Sequence, residues 1–200
     1  MEGVSWETYE RLRQELDDAG SHVRIIYDQG RMALMSPLLP IHEKWKQLLG
    51  RLIETLAEER GLPISAFGST TWKRQDVGRG IEADQCYYIQ HAQAVRGKTA
   101  FDLLQDPPPD LAVEVDVTYR PPSKPSVYAA LRIPELWRYN GKAFDVLVLQ
   151  SDGSYASSSA SAAFPGFAPA DCHRYLSMYP ALLDAEIVAE FRKWIRGGHD

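Results

Sequence analysis

Asp110-Leu-Ala-Val-Glu-Val-Asp116, with Lys124 close downstream, is the stretch on which the reading of this chain turns. Leu111, Val113, Val115 and Val117 alternate with Ala112, Glu114 and Asp116, the two-residue period of a pleated strand. One face is apolar, while the other carries two carboxylates and an alanine. Positions two apart on a strand are separated by roughly 6.5–7 Å, so Glu114 and Asp116 stand side by side. Burying them requires a cation or hydrogen-bond donors. The plainer alternative is an edge strand whose polar face meets water.

Outward from this strand, the chain divides into recognisable elements. Upstream, Pro107-Pro-Pro109 stiffens the entry, because proline fixes φ and restricts the residue before it. Downstream, residues 118–122 form a loop. Ser123 is placed to cap a short helix with Lys124 and Pro125 in its first turn, running to Leu131. Leu136–Tyr139 and Ala143–Leu149 follow as strands around Asn140-Gly141-Lys142, a hairpin turn sequence.

The N-terminal half predicts a helix from Ser5 to Asp18, with Trp6, Tyr9, Leu12, Arg13 and Leu16 on one face. A hairpin over Val23–Tyr27 and Arg31–Met35 follows, with breaks at Pro37 and Pro40. The strongest helix spans Ile41–Arg60, its apolar stripe formed by Ile41, Trp45, Leu48, Leu49, Leu52, Ile53 and Leu56. Strands are expected over 64–72 and 81–89, with a turn at Gly78-Arg-Gly80. Residues 90–105 read mostly as loop, and 154–163 as a polar strand end with a serine-rich loop. Two helices, near 170–178 and 180–196, close the chain. This order predicts one α/β or α+β domain over residues 1–200, built on a mixed, mostly antiparallel sheet flanked by helices.

The composition sets limits. Two hundred residues, 44% apolar and 24% charged, suit one globular domain with a sizeable core. Cys86 and Cys172 offer neither a disulfide framework nor paired zinc spacing, so a reducing cytoplasmic setting is expected. The first residues do not read as a signal peptide, and no stretch approaches the 18 or so apolar residues of a membrane span. A net charge of −5 argues against a dedicated nonspecific nucleic-acid binder. An enzyme acting on nucleic acid stays open, since acidic metal ligands lower the net charge.

A second acidic feature is Gly80-Ile-Glu-Ala-Asp84, followed by Gln-Cys-Tyr-Tyr-Ile. Alone, Asp84 reads as a strand-start carboxylate bonded to local amides. Together with Glu114 and Lys124 it becomes more specific. Two carboxylates from neighbouring strands supply hard oxygen ligands for Mg²⁺, which commonly keeps several waters. A nearby ammonium stabilises a developing negative oxygen or orients a water. Phosphodiester hydrolysis needs these parts.

Other candidates carry less. His22, His91, His173 and His199 show no metal-ligand spacing. Ser157–Ser161 lacks a nucleophile turn, Cys86 lies inside a strand, and Gly78-Arg-Gly80 is too short for a phosphate loop. Lys73, Arg74 and Arg79, beside Trp72, form a small basic segment ahead of Asp84. It reads as a solvated hairpin tip, or as a contact for a phosphate backbone.

The combination resembles the PD-(D/E)XK nuclease superfamily, and within it the putative restriction endonuclease family (the Uma-two type). The matching landmarks are Ser36-Pro37, His42-Glu43 opening the long helix, Gly80–Ile89, Pro107–Thr118, Lys124, Tyr128, Ile133–Tyr139 and Phe164-Pro-Gly166. They extend over about residues 20–190. The resemblance implies a restriction-endonuclease-like core and an endonuclease that hydrolyses DNA with Mg²⁺, or Mn²⁺ as an alternative ion. By it, Asp84 and Glu114 are metal ligands and Lys124 is the catalytic lysine. The superfamily usually places that lysine two residues after the glutamate. Here Asp116 occupies the position, either as an additional metal ligand or as an ion-pair partner of Lys124. Glu43 resembles a helix glutamate that contacts the metal site in superfamily nucleases, with His42 beside it on the apolar edge; a plain surface glutamate is equally consistent. Two-strand cleavage makes a homodimer the natural assembly. The contrasting expectation is a nuclease-fold protein that no longer cuts and serves as a nucleic-acid-binding or assembly module.

Overall fold

The computed structural model describes residues 1–21, 23–35, 39–117 and 124–198. The expected Ser36-Pro37 landmark, the loop 118–122 and the Ser123 cap lie outside the described residues, as do His22 and His199.

The elements begin with α1 (Trp6–Asp18), whose cap Ser5 accepts a hydrogen bond from the Thr8 amide at 3.2 Å. Strands β1 (Arg24–Asp28) and β2 (Arg31–Met35) form the first hairpin. Its turn places Gln29 at φ 46° and Gly30 at φ 86°. Positive φ at both central residues suits the twist of the flanking strands. Helix α2 (Pro40–Glu59) starts with proline in its first turn, where the missing N–H costs nothing. Pro40 therefore opens the helix instead of interrupting the chain before it.

Four strands follow: β3 (Ser65–Phe67), β4 (Thr71–Arg74), β5 (Arg79–Glu82) and β6 (Gln85–Tyr88). The two long strands expected from sequence are thus each divided. The turn lies at residues 75–78, and Arg79 and Gly80 belong to β5. The remaining elements are β7 (Leu111–Val115), α3 (Lys124–Ala130), β8 (Glu135–Tyr139), β9 (Phe144–Leu149), β10 (Tyr155–Ser157), α4 (Ala170–Leu176) and α5 (Asp184–Arg196). Both C-terminal helices are shorter than expected, with Pro180 ahead of α5 and not within it.

The divisions have one cause: the chain builds two sheets, not one. The first has the order β2-β1-β5-β4, and the second β10-β9-β8-β7-β6-β3. Segments 65–74 and 79–88 each pass from one sheet to the other, so neither runs as a continuous strand. In the six-stranded sheet β7 and β8 run parallel, and every other neighbouring pair is antiparallel.

Strand β7 lies inside the six-stranded sheet and is buried along its whole length, so it is not an edge strand facing water. Leu111, Val113 and Val115 pack with Leu48, Leu49, Leu52 and Ile53 of α2 and with Trp137 and Tyr139 of β8. Ala112 enters a second core with Ile26, Trp72, Ile81, Tyr88, Val127, Tyr128 and Leu136. Each fully buried large apolar side chain contributes roughly 1.5–3 kcal/mol. These two cores hold the acidic face of β7 between the sheet and α3. A third small core gathers Tyr9, Ile25, Tyr27 and Met32 beneath α1.

Candidate active site

The site is built where the two sheets meet. Asp84 occupies the short gap between β5 and β6. Gln85 pairs with Val113, so continuing that antiparallel register by one residue sets Asp84 opposite Glu114. The Val115 amide, next on β7, donates to Asp84 Oδ2 at 2.7 Å. A break between sheets, not strand alternation, brings Asp84 to Glu114.

Asp84 is 1% exposed and surrounded by donors. Arg24 of β1 donates through Nη1 to Oδ1, and His42 Nε2 lies 3.1 Å from Oδ2. Burial pushes the Asp84 carboxyl upward, but His42, Arg24 and the Val115 amide outweigh it and hold the group below the usual range. Arg24 also places Nε 3.3 Å from Glu82 Oε1 and donates through Nη2 to Ser69 Oγ at 3.1 Å. On the other side of His42, Nδ1 lies 3.2 Å from Glu43 Oε1, and Glu43 Oε2 pairs with Lys46 at 2.7 Å. Glu43 therefore meets the site through His42, from the exposed side of α2.

Glu114 is equally buried. Lys124 Nζ donates to its Oε2 at 2.6 Å, and the Tyr128 hydroxyl donates to Oε1. Both donors come from α3, four residues apart, one turn of helix. Burial, with the charges of Asp84 and Asp116, pushes the Glu114 carboxyl up to about 7 despite Lys124 beside it. For Lys124, burial acts to lower the pKa, but Glu114 and Asp116 prevail and raise it.

Asp116 continues beyond β7, its amide donating to the Tyr139 carbonyl at 2.8 Å. Lys124 Nζ donates to Asp116 Oδ1 at 2.9 Å, and Arg138 Nη2 donates to Oδ2 at 3.1 Å. Glu114 and Arg138 are register partners in the parallel β7–β8 pair, so their side chains leave the sheet on one face.

The structure thus brings together Asp84, Glu114, Asp116, Lys124 and His42, with Glu43 one contact away. It does not join Lys73, Arg74 and Arg79 to this cluster. They pair with Glu10, Asp76 and Asp28 along the β4–β5 hairpin. Sequence reasoning missed Arg24 and Arg138. An arginine inside an otherwise apolar strand, as in Arg24-Ile-Ile-Tyr27, was the available signal for the first. Arg138 could be found only from the parallel pairing.

Hard oxygen donors concentrated in one buried site suit a hard divalent cation. Each oxygen of Asp84, Glu114 and Asp116 also accepts from a protein donor. Among the described residues, no three His, Cys, Asp or Glu side chains are grouped to hold a metal ion.

A mixed sheet flanked by helices, with buried carboxylates and a lysine on one face, defines a restriction-endonuclease-like α+β fold. The family model described as "Uma2: Putative restriction endonuclease" matches residues 6–172, and the chain belongs to that family. No curated protein matches the chain. Among the described residues no helix is long and apolar enough to cross a membrane.

Proposed function

We propose that the protein is an endonuclease that hydrolyses DNA phosphodiester bonds, using Mg²⁺ or Mn²⁺ held by Asp84 and Glu114. The observation that carries this reading is the reach of Lys124. Although it lies on α3, ten residues after Glu114, its ammonium arrives 2.6 Å from the Glu114 carboxylate. Family membership supports the nuclease class.

Asp84 supplies a carboxylate kept ionised by Arg24 and His42. Glu114 supplies the second carboxylate, aimed by Tyr128 and Lys124. Bound at these oxygens, the cation would acidify a water and shield phosphate charge. Lys124 keeps a proton on Nζ and presents it to the oxygen that gains negative charge. His42 and Glu43 support Asp84 from α2. DNA is the partner, a homodimer places two such sites on a duplex, and the cytoplasm is the setting. The 200 residues act as one unit.

The test is plasmid nicking by purified protein in Mg²⁺ or Mn²⁺, with Asp84→Ala alongside. Wild type should nick and Asp84→Ala should not. Equal activity in both would identify a contaminant and end the proposal.

One observation favours a second reading. Protein donors, Arg24 and Lys124 among them, already satisfy the carboxylates that a metal would use. A nuclease-fold protein that has ceased to cut, and binds nucleic acid or assembles with a partner, would keep this internally neutralised cluster. It predicts DNA binding without metal-dependent nicking.

A further inference from the structure

Asp116 divides its carboxylate between two cations. Oδ1 accepts from Lys124 Nζ at 2.9 Å, while Oδ2 accepts from Arg138 Nη2 at 3.1 Å and from Nε at 3.4 Å. Arg138 reaches it from β8, the strand parallel to β7. All three side chains are buried: Asp116 is 6% exposed, Lys124 2% and Arg138 7%. The same ammonium also donates to Glu114.

A lysine side chain has four rotatable bonds and a compact charge with three donors. One acceptor leaves the ammonium free to swing; two fixed acceptors define its place. Glu114 is one. Asp116 is the other, and it is fixed because the planar guanidinium of Arg138 grips its far oxygen. Asp116 accepts from Lys124 and Arg138, whereas Asp84 accepts from Arg24 and the Val115 amide and lies beside His42.

We propose that Asp116 is a positioning residue for Lys124, anchored by Arg138, and not a metal ligand. The charge at the usual lysine position is thereby reversed without losing the lysine: α3 supplies the ammonium, and Asp116 tells it where to stand. This rests on the nuclease reading for the purpose of Lys124, but not for its placement.

The experiment follows the Lys124 ammonium by ¹⁵N–¹H NMR in metal-free protein, together with Mn²⁺ affinity and steady-state nicking. In wild type the ammonium gives a resolved, slowly exchanging signal, assigned by its loss in Lys124→Met. Asp116→Asn and Arg138→Met should each broaden that signal beyond detection. Both variants should keep wild-type Mn²⁺ affinity, and kcat should fall about 10–100-fold with KM unchanged. Arg138→Lys, which keeps charge but loses the fork, should recover part of the signal and of kcat. If circular dichroism shows Asp116→Asn unfolded, Arg138→Met carries the three readouts alone. An ammonium signal unchanged by the variants, or undetectable in wild type, would overturn the proposal. So would a loss of Mn²⁺ affinity in Asp116→Asn as large as in Asp84→Asn. Wild type that neither binds Mn²⁺ nor nicks DNA would end the nuclease reading instead, while the ammonium signal would still decide the placement of Lys124.

Discussion

Lys124 Nζ donates to Glu114 Oε2 at 2.6 Å, although the residues are ten positions apart and lie on two different elements, α3 and β7. The lysine is 2% exposed and the glutamate 1%. Removing one partner of such a pair strands the other charge in a poorly polar interior. Lys124→Met should therefore destabilise the protein by about 3–5 kcal/mol at pH 8, and by less at pH 5, where Glu114 can take up a proton. Urea unfolding at the two pH values measures this. An equal loss at both would show that Glu114 does not carry the uncompensated charge.

Glu114 gives stability a second pH dependence. Its carboxyl, ordinarily near 4.5, is raised to about 7 in the folded protein. The folded state therefore binds a proton more readily than the unfolded chain across that interval. The associated stability is complete below about 4.5 and is lost as pH rises to about 7. Asp84 has the opposite sign, its pKa lying below the ordinary 3.8, and its contribution is lost only as pH falls beneath that value. The stability of wild type minus that of Glu114→Gln should decline from pH 4.5 to 7 and then level. Urea midpoints across this range provide the check, and a rising difference would refute it.

Tyr9 presents a different imbalance. Its ring stacks on Tyr27 at 4.8 Å, and its fully buried hydroxyl has no hydrogen-bond partner among the described residues. An unsatisfied buried hydroxyl costs about 1–3 kcal/mol, so Tyr9→Phe should raise stability by an amount in that range. Gly80 of β5 lies directly against this ring, and an added Cβ would come within 2.9 Å of Tyr9 Cζ. Gly80→Ala should cost about 1–3 kcal/mol, since the packed aromatic cannot withdraw. Thermal melts of both variants test the pair. A neutral Gly80→Ala would show that α1 moves freely on the first sheet.

Glu135 lies on the face of β8 opposite Arg138 and is fully buried. It accepts from Trp137 Nε1 at 2.5 Å, Ser161 Oγ at 3.1 Å and the Ala163 amide at 2.6 Å. Glu135→Ala should cost on the order of 3 kcal/mol and release the loop it ties down. Hydrogen exchange at the Ala163 amide should accelerate, while the Lys124 ammonium signal stays unchanged. A comparable change at Lys124 would mean that the two faces of the sheet are coupled.

The sequence by itself determined much of this protein. The alternation through Leu111–Val115 and the helical stripe of Trp45–Leu56 are properties of period, and a period needs only local residues. Asn140 likewise dictated its hairpin, accepting from the Lys142 and Ala143 amides at 2.9 and 2.7 Å. Asp84, Glu114 and Lys124 were legible as candidates because a carboxylate on a buried strand demands a partner. The tertiary structure alone decided that 65–74 and 79–88 cross between two sheets, because a short run of residues does not reveal which strand it will pair with. It alone decided that β8 lies parallel to β7, which sets Arg138 beside Asp116. It alone brought Arg24 across sixty residues to Asp84. Pairing of distant strands is a choice made by the whole packed chain, and the partners of every charge in this site follow from that choice.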